Sequence, residues 1–239
     1  MPNPTAAMLV IGDEILSGRT RDANMAHLAQ EFTAAGIDLK EARVVSDDPA
    51  AIVAAVNALR DAYDVVVTSG GIGPTHDDIT ADCIAEAFGV GIDVREDARA
   101  LMEAHYSKTG RELNEARLRM ARIPDGATLI ENEVSAAPGF SIGNVHVMAG
   151  VPSVFQAMLR EVLPTLNGGQ PLLSRSKRVE QAEGDIAGPL RVMAGEFTDL
   201  SIGSYPFSEG RIYGANVVVR GTDEDRLDAA MARLDEMFG

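Results

Sequence analysis

The sequence predicts an α/β fold with a mainly parallel sheet, followed by a small C-terminal α+β lobe, and three observations lead there. Short apolar runs alternate with helix-length amphipathic stretches through the first two thirds of the chain, the pattern of βαβ units. Val65, Val66 and Val67 form an apolar run without alternation, as a strand buried on both faces requires. Glycine-rich or proline-rich segments follow several of these runs, where open α/β sheets carry their ligand-facing loops.

Residues 7–11 read as the first strand. A helix follows over 22–35, where Met25, Leu28, Ala29 and Phe32 recur at helical spacing and Gly36 supplies a stop. Residues 39–45 read as a strand, and Asp48-Pro49 opens a helix with Ile52, Val53, Val56 and Leu59 on one face. Residues 64–68 form the third strand. Beyond the glycine-rich stretch a helix spans 81–88 and stops at Gly89. Residues 96–108 and 113–121 read as helices, 127–131 and 145–148 as strands, and 153–163 as a closing helix. Asn, Gly and Pro over 166–171 mark a linker, giving expected domains of 1–168 and 169–239. The second reads as strand 176–181, helix 186–196, strands 200–205 and 211–220, and helix 223–238.

Composition excludes several classes of function. The 239 residues are 46% hydrophobic and 24% charged, enough for a core and unlike a disordered chain. The net charge of −15 repels phosphate backbones and anionic lipid, which argues against nucleic-acid or membrane partners. Cys83 is the single cysteine, so no internal disulfide can form. With no secretory leader pattern and no apolar run near the roughly 20 residues of a membrane span, a cytoplasmic location is expected. The four histidines show no zinc-ligand spacing.

The most informative segment runs Thr68-Ser69-Gly70-Gly71-Ile72-Gly73-Pro74-Thr75-His76-Asp77-Asp78-Ile79-Thr80. It leaves a buried strand and enters a helix. Glycines there let backbone N–H groups approach an anion, and a helix N-terminus, with Thr80 as the expected N-cap, adds partial positive charge. It is neither a Walker loop nor the dinucleotide fingerprint. Asp77 and Asp78 beside an anion site call for a divalent cation, since Mg²⁺ binds through one or two carboxylates plus phosphate oxygens; the alternative is that they only favour the helix start. Asp13 or Glu14, at the end of the first strand, could orient that metal or activate water, or could form a solvated turn. Asn24 could hydrogen-bond a ligand or face water. Pro138 and Gly139, with Gly150 and Pro152, add small residues at two further strand ends, where turn geometry explains them equally well. His76 offers a donor in the loop. Arg111, Arg117, Arg119 and Arg122 offer a phosphate clamp or a salt-bridged helix face.

These residues resemble a known family. Gly12-Asp13-Glu14-Ile15-Leu16-Ser17-Gly18, Asp22-Ala23-Asn24, the segment from Ser69 to Thr80, Ala137-Pro138-Gly139-Phe140 and Gly150-Val151-Pro152 resemble the molybdopterin-binding-like domain of the CinA (competence/damage-inducible protein A) family. The resemblance covers about the first 165 residues. It implies the three-layer α/β/α fold of the MoaB and MogA proteins, with Ser69, Gly70, Gly71, Gly73, Thr75 and Thr80 around a pterin or nucleotide phosphate and with Asp77 and Asp78 holding Mg²⁺, Mn²⁺ or Co²⁺. It also implies hydrolysis of ADP-ribose, or of FAD as in the similar domain of FAD synthases, which Ile202-Gly203-Ser204-Tyr205-Pro206-Phe207 resembles. Val154 stands where the family carries an acidic residue. The deamidase domain of longer CinA proteins has no counterpart here, so that activity is not expected.

The expected function is therefore metal-dependent hydrolysis of a nucleotide pyrophosphate. The alternatives are a non-catalytic module that binds molybdopterin or a nucleotide, and adenylyl transfer to molybdopterin. Assembly as a homo-oligomer, a dimer or trimer, is expected from the resemblance and from the weakly polar stretch around Met120.

Overall fold

The computed structural model describes residues 2–110, 112–210 and 212–239; the expectation for Arg111, and the first residue of the strand expected over 211–220, lie outside them. The chain divides into two compact units, Met1–Gly169 and Gln170–Gly239.

In the first unit, a six-stranded sheet has the order β2-β1-β3-β8-β7-β6. Its members are β1 (Thr5–Ile11), β2 (Asp38–Val45), β3 (Val65–Ser69), β6 (Thr128–Ile130), β7 (Gly139–Ile142) and β8 (Val145–Met148). The four from β2 to β8 run parallel, and β7 and β6 are antiparallel at one edge. Side chains alternate across the sheet. Ala7, Leu9 and Ile11 of β1 pack with α3 (Pro49–Ala62) and α4 (Thr80–Phe88). Ala6, Met8 and Val10 pack with Leu28 and Phe32 of α2 (Asn24–Ala35) and Phe155 of α7 (Pro152–Val162). Two apolar faces with helices on each make three layers, α/β/α.

The helix limits have local causes. Gly36 and Gly89 end α2 and α4 in the left-handed conformation, which glycine adopts at no steric cost. Pro49 starts α3, and the Asp48 carboxylate accepts from the amide of Ala51 at 2.8 Å.

Three strands escape the sequence reading. The pair β4 (Ile92–Val94) and β5 (Arg122–Pro124) forms a separate antiparallel ribbon, and three residues each are too few to display alternation. β7 begins on Gly139, which reads as a turn in sequence. The helix expected over 113–121 is broken into α6 (Glu115–Leu118) and a 3-10 turn over Arg119–Ala121; Met120 there packs against the core rather than offering a free face. α5 (Glu96–Thr109) lies before it, and Asp13–Leu16 forms the short α1 instead of an open turn.

In the second unit, β9 (Leu173–Val179), β10 (Ser201–Glu209) and β11 (Ile212–Gly221) form an antiparallel sheet with β11 central. Val217 and Val219 pack there with Ile186 and Met193 of α8 (Glu183–Glu196) and Leu227 and Leu234 of α9 (Glu224–Phe238). Among the described residues no helix is long and apolar enough to cross a membrane.

His146 on β8 is 8% exposed, and burial pushes its imidazole down from 6.5 to about 4. The folded ring stays neutral where the unfolded ring gains a proton. Stability should thus be unaffected by this group above pH 6.5 and fall as pH drops from 6.5 toward 4, by at most about 1.4 kcal/mol per pH unit. Urea unfolding of the protein and of His146→Asn over that range checks this: the variant should lose the part of the slope that His146 contributes.

Candidate active site

The glycine-rich segment starts at the buried end of β3. Gly70 has φ 109°, and a Cβ on it would strike the carbonyl oxygen of Ile11, so glycine alone lets this loop pass the end of β1. Its N–H donates to the Met148 carbonyl at 3.2 Å, which draws in β8. The Gly70 amide is therefore consumed by the fold and does not face a ligand. Gly71, at φ 69°, has no room for a side chain because Thr80 Oγ1 fills the place. Thr80 is fully buried; its hydroxyl donates to the Gly70 carbonyl at 3.0 Å and its amide to the Gly71 carbonyl at 2.9 Å. It ties the loop to the helix instead of acting as the N-cap. Ile79 holds that position, and no side chain caps α4.

Asn24 braces the same junction. Its Nδ2 donates to Ser69 Oγ and to the Gly150 carbonyl, each at 2.8 Å, and both Asn24 and Ser69 are buried at 2% exposure. These bonds fix the backbone at the junction, while among the described residues Asn24 Oδ1 is buried without a partner. Gly150 lies where a Cβ would sit 3.3 Å from the Gly70 Cα, Pro152 opens α7, and a Cβ on Gly139 would strike the Val147 carbonyl. These three residues close the packing behind the loop.

In front of it lies a narrow cleft, lined by Gly71, Ile72, Gly73 and Asp78 of the loop, Ala81 and Asp82 of α4, and Arg119, Arg122, Pro138 and Phe140. Among the described residues the amides of Gly71 and Gly73 donate to nothing, and the uncapped α4 N-terminus lies beside them, so the wall is an anion-attracting surface. Asp78 Oδ2 accepts from the amide and hydroxyl of Thr75 at 2.8 and 2.5 Å; Thr75 thus holds the carboxylate instead of meeting a ligand directly. Arg122 donates to Asp82 Oδ1 through Nη2 alone, and among the described residues its Nε is buried without a partner.

The expected acidic group is not brought together. Asp78 lines the cleft, whereas the Asp77 side chain is 63% exposed and lies outside its lining, and His76 is 98% exposed. Asp13 sits on the β2 side, its amide donating to Asp47 at 2.9 Å, and neither it nor Glu14 lines the cleft. Among the described residues no three His, Cys, Asp or Glu side chains converge on a metal position. Of the arginines, Arg119 and Arg122 reach the cleft, and Arg117 packs over Tyr106. Sequence reasoning missed Asp82 as a cleft residue; its place in the first turn of the helix that follows the glycine-rich loop is the signal that finds it. Val154 is 7% exposed in the core beneath β8. Cys83 is buried, and burial pushes its thiol up to about 11, which removes it as a nucleophile.

Residues 7–168 match the probable molybdopterin binding domain family, and residues 171–239 match the FAD synthase middle domain. A protein of Thermococcus kodakarensis is 35% identical over 243 residues, covering 96% of each chain. A CinA-like protein of Gemmatimonas aurantiaca is 33% identical over 248 residues, covering 97% of this chain and 58% of its own length. The crystal structure of the protein CinA from Thermoplasma acidophilum, of unknown function, matches with a TM-score of 0.63 and 35% identity, over 69% of this chain and 99% of that one.

Gly71→Ala should cost more stability than Gly18→Ala, because both glycines have positive φ but only Gly71 has no room for a Cβ. The left-handed backbone alone costs about 1–2 kcal/mol. Chemical denaturation of the two variants measures the difference, and equal losses would show that Thr80 yields freely.

Proposed function

This chain belongs to the molybdopterin-binding-domain family, and we propose that its glycine-rich cleft hydrolyses a nucleotide pyrophosphate such as ADP-ribose or FAD, with Mg²⁺, Mn²⁺ or Co²⁺ as cofactor. The observation that carries this reading is the convergence on one cleft of free glycine amides, the Asp78 carboxylate and two arginines. An acidic protein repels phosphate in general, so a local set of anion donors beside a carboxylate has a specific use.

The donor set fits a cation held by one protein carboxylate and by substrate oxygens. Asp78 Oδ2 is committed to Thr75, while among the described residues Oδ1 has no hydrogen bond, and Mg²⁺ commonly binds through one or two carboxylates plus phosphate. Asp78 would hold such a cation, which would supply charge neutralisation and Lewis-acid polarisation of a phosphoryl oxygen. The chain's own groups do the rest. The amides of Gly71 and Gly73 and the start of α4 hold one phosphate, Arg119 in the same lining meets developing charge, and Asp82 holds Arg122 through its Nη2 before substrate arrives. The enclosed space is about 20 Å³, room for about one water-sized group. The nucleotide therefore lies across the mouth, with phosphate oxygens alone reaching inward. Asp13, Glu14 and Asp77 take no part in this scheme.

A second reading, a module that binds a pterin or nucleotide without turnover, is favoured by Val154, a core residue at a position where the sequence resemblance implies a carboxylate.

Incubation with ADP-ribose or FAD plus each cation should release AMP, and EDTA should stop it. Asp78→Asn should slow release by about a hundredfold or more, whereas Asp77→Asn should remain near the unaltered rate. ATP with a pterin belongs in the same assay, because adenylyl transfer leaves pyrophosphate and an adenylated acceptor. Binding without AMP under every cation would establish the second reading, and no binding of any of these ligands would overturn both.

A further inference from the structure

A larger cleft of the first unit lies on the other side of the sheet. Val145 and Val147 of β8 pack on the α3–α4 face, so His146 between them faces α7. The cleft encloses about 790 Å³ between β6, β7, β8 and α7. His146 is its most buried polar group, at 8% exposure, and its Nδ1 lies 2.8 Å from the hydroxyl of Ser141, its cross-strand neighbour. Its Nε2 has no hydrogen-bond partner among the described residues. Three carboxylates, Glu131, Glu133 and Glu161, share the lining with one guanidinium, Arg160. Arg160 pairs with Glu133 at 3.5 Å, and among the described residues Glu131 and Glu161 have no ion-pair partner. Ile130, Ala157 and Val162 make an apolar wall.

We propose that this cleft binds an aliphatic amine, with the ammonium group held between Glu161, Glu131 and the Nε2 lone pair of His146 and the methylene stem lying on the apolar wall. Charge selects the class: carboxylates outnumber guanidinium, so the cleft repels the phosphate ligand of the glycine-rich site and attracts a cation. The imidazole does not oppose this, because burial keeps it neutral at pH 7. With Nδ1–H donated to Ser141 Oγ, Nε2 keeps its lone pair and accepts from the ammonium. The wall removes methylene groups from water, an interaction an inorganic cation cannot make. A free amine and a lysine side chain of a peptide share this chemistry. The inference does not depend on the activity of the glycine-rich cleft.

The test follows the histidine ring nitrogens of the full chain by NMR during titration with diaminobutane and, separately, with a short peptide carrying one lysine and no other charge, at constant ionic strength. The His146 Nε2 signal should shift saturably as its lone pair accepts a hydrogen bond, with the ring remaining neutral. Glu161→Gln, at an exposed position, should weaken this by about tenfold, and Asp61→Asn, an exposed carboxylate on α3 away from the cleft, should leave it unchanged. Saturation by diaminobutane alone assigns the site to free amines, and saturation by the peptide as well extends it to lysine side chains. No movement of His146 with either, an equal movement in Glu161→Gln, or the same movement with potassium chloride would overturn the proposal.

Discussion

The glycine-rich site depends on one steric constraint: the chain at Gly70 passes so close to the Ile11 carbonyl that no Cβ fits. That approach brings the ends of β1, β3 and β8 together, because the Gly70 amide is bonded to Met148 and its Cα is packed by Gly150. The position has φ 109°, open to glycine and costly for other residues. With Gly70 fixed, Thr80 reaches back to the loop, and among the described residues the amides of Gly71 and Gly73 have no acceptor, while both residues line the cleft.

Buried polar groups hold this arrangement from behind. Asn24 gives both Nδ2 hydrogens to the junction, one to Ser69 and one to the Gly150 carbonyl, so α2, β3 and the start of α7 share one brace. A buried amide that lost these partners would leave unsatisfied groups in an apolar layer. In front, the electrostatics are divided by position. Asp78 is kept in the cleft lining by Thr75, Asp82 is engaged by Arg122, and Asp77 lies outside that lining with His76 Nδ1 at 3.9 Å. Two adjacent aspartates in sequence thus have different surroundings.

The parallel part of the fold was legible because its signals are long and redundant: the unbroken valines of β3, the amphipathic faces of α2 and α3, and glycines at the helix ends. The pair β4 and β5 and the strand β7 were not, since three or four residues with Arg, Pro or Gly among them carry no period. The glycine loop was legible as an anion site, but the division of labour within it was not. Sequence cannot show that the Gly70 amide is spent on Met148, that Asn24 and Ser69 are sealed from solvent, or that Asp13 is on the far side of β1. Those facts depend on which strand neighbours which. Likewise Asn24 reads as a surface donor until the strand order puts Ser69 and Gly150 against it.

On the proposed reading, the amides of Gly71 and Gly73, and not that of Gly70, meet the ligand phosphate. Amide-resolved NMR during titration with ADP and Mg²⁺ separates the two. Large shifts are expected at Gly71, Gly73, Ala81 and Asp82, with Gly70 retaining slow hydrogen exchange throughout because its N–H stays on the Met148 carbonyl. Large shifts confined to residues outside that cleft, or rapid exchange at Gly70 on ligand binding, would contradict it.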